Sequence, residues 1–196
     1  MTNKPKIIGI TGGSGAGKGE VCRILAEYGV QHIDADKLAH TAILRGFPAY
    51  NEVLAAFGRD ILQENGEISR KKLGAIVFAD KTKLAVLSQI VHKYVQLKCE
   101  EIIANTVANT VAIDAAALVE AGMHLTCDAV WGIFAPINTR ISRITTRDNI
   151  SADAAKKRIL SQMPDDALRK IVHVSFENNE NLTELHNKIK EELEKL

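Results

Sequence analysis

Two hydrophobic rhythms alternate along the chain. Strand-length segments stand at residues 6–10, 30–33, 110–113, 127–134 and 171–176, the first reading Lys6-Ile7-Ile8-Gly9-Ile10. Nearly continuous apolar runs of this length suit strands buried on both faces of a parallel sheet. Between them, apolar residues return every three or four positions. This predicts helices over about 20–28, ended by Gly29, over 136–148 from Pro136, and over 152–163, capped by Ser151. A last amphipathic helix over 182–196 turns Leu185, Ile189 and Leu193 to one side. Strands alternating with helices predict an α/β fold with a parallel sheet.

The segment between the second and third strands breaks this alternation. Phe47, Tyr50, Val53, Leu54 and Phe57 repeat at helical spacing, and Asn65-Gly66 marks a turn. Ser69 is placed to cap a short helix and Asp80 a long one bearing Leu84, Leu87, Val91 and Ile102. Residues 37–105 are therefore expected to form a helical unit beside the sheet. The sheet core takes residues 1–36, 106–135 and 171–196.

The first strand runs into Gly12-Gly13-Ser14-Gly15-Ala16-Gly17-Lys18, and a helix pattern follows. This is the layout of a P-loop, G-x-x-x-x-G-K-[ST], with Gly19 where Ser or Thr is asked for. Glycines let backbone N–H groups approach an anion closely, the following helix presents its positive end, and Lys18 adds a mobile charge. The amides from Gly13 to Glu20 are candidate phosphate ligands.

Asp34 and Asp36 follow the second strand, at the carboxyl edge where ligands bind in open α/β sheets. A carboxylate there can take a proton from a hydroxyl under phosphorylation or orient Mg²⁺, while one of the two can also cap the next helix. Asp36 is expected to face the site. Arg140, Arg143 and Arg147 share one helical face, a spacing that fits either a solvated stripe or a group closing over phosphate. Asp114, ending the third strand, is a further candidate for magnesium or substrate. A lone histidine in a long helix, such as His92, is more often structural than catalytic.

Composition narrows the partners. Among 196 residues, 25 Lys+Arg face 24 Asp+Glu, so no basic excess supports nucleic acid or an anionic membrane. Cys22, Cys99 and Cys127 are odd in number, and no pair has metal-ligand spacing, so they read as core thiols of a reducing compartment. The first residues are too short for a secretory signal, and charged or amide residues interrupt the apolar stretch 102–121. A cytoplasmic protein is expected. Asn187-Lys188-Ile189-Lys190 lacks the aspartate of a guanine-binding N-K-x-D, which favours ATP over GTP.

Together these residues resemble the dephospho-CoA kinases. The T-G-G-x-G-x-G-K loop at Thr11–Lys18, the I-D-A-D at Ile33–Asp36, the R-x-x-x-R-D at Arg143–Asp148 and the R-I-x-x-Q at Arg158–Gln162 occur in order over nearly the whole chain. The resemblance implies a five-stranded parallel P-loop core, a helical substrate-binding unit and lid helices over 136–170. It implies ATP and Mg²⁺ as cofactors and dephospho-CoA as the small-molecule acceptor. It makes Asp36 the base, with Lys18, Arg143 and Arg147 on the transferred phosphate. Asn178 falls near the nucleotide base, and His92 and Asp114 fall in substrate-binding positions. Gly19 and Glu20 replace the family's Ser-Thr, so a direct hydroxyl ligand to Mg²⁺ is missing. Water held by Asp36, Asp114 or Glu20 is expected in its stead. Arg140 stands where the family often has glutamine, so no role is carried over to it. A nucleoside or nucleoside-monophosphate kinase and a nucleotide-binding module without catalysis are the alternatives.

Overall fold

The computed structural model describes residues 4–179 and 181–196; residues 1–3, where the expected core begins, and Glu180 lie outside it. Five parallel strands form one sheet: β1 (Lys6–Thr11), β2 (Gln31–Asp34), β3 (Thr110–Asp114), β4 (Ala129–Phe134) and β5 (Val174–Glu177), in the order β2-β3-β1-β4-β5. The central strand β1 sets Ile10 beside Asp114 of β3 on one side and beside Trp131 of β4 on the other. The carboxyl ends of β1 and β3 therefore lie side by side.

The helices are, in chain order, α1 (Lys18–Glu27), α2 (Ala35–Ala42), α3 (Pro48–Phe57), α4 (Arg70–Ala79), α5 (Lys81–Ala104), α6 (Ile137–Asp148), α7 (Ala152–Leu160), α8 (Asp165–Arg169) and α9 (Leu182–Leu193). One compact unit runs up to Ile33 and resumes over Thr106–Leu196; the other is Asp34–Asn105. In the first, Ile8, Ile10, Val21, Ile24, Leu25, Trp131, Phe176, Leu185 and Ile189 join into one core, with the Trp131 and Phe176 rings 5.1 Å apart. The apolar faces of α1 and α9 thus cover the central strands β1 and β4, which are mostly hydrophobic, whereas β2 (Gln-His-Ile-Asp) and β5 (Val-Ser-Phe-Glu) are mixed. Helices α6 and α7 close on each other through Ile144, Ala155 and Ile159. The second unit has its own core of Val53, Ile61, Ile68, Leu73 and Val77. Ser69 and Asp80 cap α4 and α5 as expected.

Several boundaries differ from the hydrophobic pattern. The expected last strand starts three residues late, because the Ile171 and Val172 amides still bond to the Leu168 carbonyl at the end of α8. The short helix α8 was not expected, since five residues are too few to show a period. Helix α7 ends at Leu160 ahead of Pro164, whose ring disfavours helical backbone before it. Asp34, not Asp36, caps α2, its Oδ1 accepting the Lys37 amide at 2.7 Å. Among the described residues, no helix is long and apolar enough to cross a membrane.

Candidate active site

The glycine-rich loop joins β1 to α1 and is held open by left-handed backbone. Gly15 has φ 77° and Gly17 φ 100°, conformations that cost a side-chain-bearing residue free energy. A Cβ on Gly17 would stand 1.9 Å from Asn178 Nδ2, so glycine is required there by crowding as well. The start of α1, like those of α3, α6 and α8, lacks a side-chain cap. Helices α2, α4, α5, α7 and α9 are capped by Asp34, Ser69, Asp80, Ser151 and Asn181, whereas Gly17 gives α1 no side-chain cap. Its first amides are left to a ligand, with the helix dipole favouring negative charge.

Residues from the carboxyl-terminal third brace the loop. Buried Arg140 donates from Nε to the Ser14 carbonyl at 2.9 Å and from Nη1 to both Asp165 oxygens at 3.0 and 3.2 Å. The Ser14 amide donates to Gln162 Oε1 at 2.8 Å, and buried Asn178 donates from Nδ2 to the Ala16 carbonyl at 3.0 Å. Arg143 reaches the carbonyls of Gly15 and Ala16 at 3.3 and 3.4 Å, and Asn178 at 3.4 and 3.5 Å. These bonds are long and their acceptors carry no charge. Lys18 folds back onto the Gly12 carbonyl at 3.0 Å. Among the described residues no carboxylate pairs with either Lys18 or Arg143. Two cations and a set of uncapped amides therefore converge on one loop, an arrangement that favours a polyanion.

The three arginines of the predicted stripe part company here. Arg140 is buried in the brace and Arg143 borders the loop. Arg147, 63% exposed at its side chain, bonds its neighbour Asp148 at 2.7 Å, and Arg158 binds the same carboxylate. Hydrogen bonds from Arg147 and then Arg158 hold the Asp148 carboxyl down at about 2. The brace is what spacing alone did not show: Arg140 and Asp165 lie on different helices, and only the packing of α6 beside α8 reveals them as a pair.

Asp114 offers oxygens at the carboxyl edge. Its Oδ1 and the Thr11 hydroxyl are buried without hydrogen-bond partners. Two orphaned oxygens beside the phosphate loop suit a hard cation or its water shell, so the residues fit Mg²⁺. Glu20 is less available. Its two oxygens bond Arg23 at 2.7 and 3.3 Å, and that contact holds its carboxyl below the usual range. A Cβ on Gly19 would meet nothing within 4 Å, so a hydroxyl-bearing side chain fits there without displacement. Asp36, in the first turn of α2, and half-buried His92, in α5, belong to the second unit.

Known proteins resemble this chain over most of its length. The family CoaE, dephospho-CoA kinase, matches residues 6–184. The dephospho-CoA kinase of Carboxydothermus hydrogenoformans is 38% identical over 177 residues, 88% of this chain and 85% of that protein. That of Geobacter sulfurreducens is 38% identical over 189 residues, 94% of this chain and 95% of its own length. The crystal structure of TT1252 from Thermus thermophilus superposes with a TM-score of 0.87 at 29% identity, covering 99% of both chains. With the phosphate loop, its two unneutralised cations and this extent of likeness together, the chain belongs to the dephospho-CoA kinase family.

Proposed function

We propose that this protein transfers the γ-phosphoryl group of ATP to the ribose 3′-hydroxyl of dephospho-CoA, in the cytoplasm and as the last step of coenzyme A synthesis. The observation that carries the reading is the convergence of Lys18 and Arg143, without carboxylate partners, on the amides of the phosphate loop in a chain of this family. Between Gly13 and Glu20, the amides of Ser14, Ala16 and Glu20 already donate to Gln162, Gly13 and Gly17, so the other loop amides hold the ATP phosphates, and Asn178 stands by the nucleotide. Asp36 takes the proton as the hydroxyl oxygen forms its bond to phosphorus and the bond to the ADP oxygen breaks. Lys18 and Arg143 balance charge on the phosphoryl oxygens, and Arg147 joins them when helices 136–170 act as a lid. The helical unit 37–105, with His92, receives the acceptor, and Asp114 orients it or the metal's water shell. Such a transfer depends on positioning and electrostatic stabilisation more than on covalent chemistry.

Mg²⁺ neutralises phosphate charge when bound. Asp114 and Asp36 are the carboxylates to hold its waters. Because Gly19 supplies no hydroxyl but leaves room for one, Gly19→Ser is expected to lower the Mg²⁺ concentration needed for half-maximal rate several-fold; an unchanged requirement would count against this account.

The deciding experiment is a coupled ADP-release assay with dephospho-CoA beside a panel of nucleosides and nucleoside monophosphates. Turnover confined to dephospho-CoA is expected. Preference for a nucleoside acceptor would replace this reading, and ATP binding without any turnover would make the protein a binding module. Asp36→Asn is expected to lower kcat by ~10²–10⁴-fold with ATP affinity kept.

A further inference from the structure

A second cluster of metal-binding groups stands beneath the carboxyl edge of the sheet, with a donor set unlike that of a magnesium site. Cys22 lies on the buried face of α1, His32 on β2 and Asp114 at the end of the neighbouring strand β3. Cys22 Sγ and His32 Nε2 both approach Asp114 Oδ2, each at 3.7 Å, and the three donor atoms lie within 4.8 Å of one another. A thiol donating to a carboxylate accounts for one edge of this triangle. It does not account for an imidazole nitrogen converging on the same oxygen.

We propose that Cys22, His32 and Asp114 form a site for a divalent transition-metal ion of the Zn²⁺ class. Zinc takes thiolate, imidazole and carboxylate at about 2.0–2.3 Å, which sets tetrahedral ligands roughly 3.3–3.8 Å apart. The two 3.7 Å edges already match, and a side-chain adjustment closes the third. The donor set selects against Mg²⁺, which takes oxygen ligands, and for borderline cations. Cys22 is 4% exposed, whereas the His32 side chain is 35% exposed, so an ion enters from the histidine side and water completes the fourth position. On binding, the Cys22 thiol loses its proton to solvent and the thiolate bonds the metal. Occupancy holds Asp114 in the metal's shell and takes it from the phosphoryl-transfer centre.

The test is optical titration of the chelator-treated full chain with Co²⁺, a spectroscopic substitute for Zn²⁺. Wild type is expected to bind one Co²⁺ with a near-ultraviolet thiolate charge-transfer band. Zn²⁺ displaces it, and excess Mg²⁺ does not. Cys22→Ser is expected to lose the band, and His32→Gln, a change at an exposed position, to weaken Co²⁺ binding by at least ~10-fold. Cys99→Ser and Cys127→Ser keep both. No band in wild type, a band that survives Cys22→Ser, a Cys22-dependent band unaffected by His32→Gln, or displacement by Mg²⁺ would overturn the proposal. These readouts are independent of kinase turnover.

Discussion

The first and last turns of α6 carry the same side chain in opposite circumstances. Arg140 is 4% exposed, gripped by both oxygens of Asp165, and bonded to the phosphate loop at 2.9 Å. Arg147 is 63% exposed at its side chain and holds a neighbouring aspartate. Between them, Arg143 touches the loop through bonds of 3.3 Å and longer to uncharged carbonyls. Identical charge at regular spacing thus stands in this structure as a beam, a cation bordering the loop and, for Arg147, a surface contact with Asp148. What separates them is the partner each has acquired. A guanidinium neutralised by a fixed carboxylate belongs to the architecture, while one left with carbonyls keeps its charge for an incoming anion.

Removing Arg143 is the sharpest way to break that distinction. Arg143→Ala is expected to lower kcat by ~10²–10³-fold while shifting stability by less than about 1 kcal/mol, measured as turnover and urea unfolding. A large stability loss with near-normal kcat would make Arg143 a second beam.

Arg140→Ala is expected to do the reverse. Deleting one member of a buried ion pair costs ~3–5 kcal/mol, and partial exposure of Asp165 lowers this to about 2–3 kcal/mol. Urea unfolding measures it. A stability within error of wild type would remove Arg140 from the brace.

The smallest effect is at the clamp. Arg147 and Arg158 hold the Asp148 carboxyl at about 2, below the ordinary 3.8. A carboxyl depressed on folding contributes stability that is complete above its unfolded value. That contribution is lost as pH falls from about 4 toward 2. NMR titration of Asp148 in Arg147→Ala is expected to move the midpoint up toward 3.8, and Asp148→Asn to flatten this part of the acid dependence of thermal stability. A midpoint that stays put would assign the clamp to Arg158 alone.

How far residues alone could foresee this follows from where their partners lie. Strand β1, the loop and Lys18 are contiguous, so local pattern carries them. The parallel sheet was legible because strands covered on both faces must be apolar along their length. The brace was not, because Arg140 and Asp165 are joined by the packing of separate helices and Arg140 shares its helical face with arginines of other kinds. The Cys22–His32–Asp114 triangle was hidden for a deeper reason. Its members become neighbours only once β3 is known to lie between β2 and β1, and strand order is not written in any one segment. Asp34 and Asp36 show the limit of local chemistry. Either suits a cap by residue type, and backbone geometry gave that task to Asp34.

The distances along the chain between the loop and its braces carry a consequence for synthesis. Ser14 is held by Arg140 and Gln162, and Ala16 by Asn178, residues made 126, 148 and 162 positions away. A ribosome produces the phosphate loop 126 to 162 residues before these supports. Until then the loop has its glycines but not its walls. A nascent chain therefore lacks the finished loop until Asn178 has emerged.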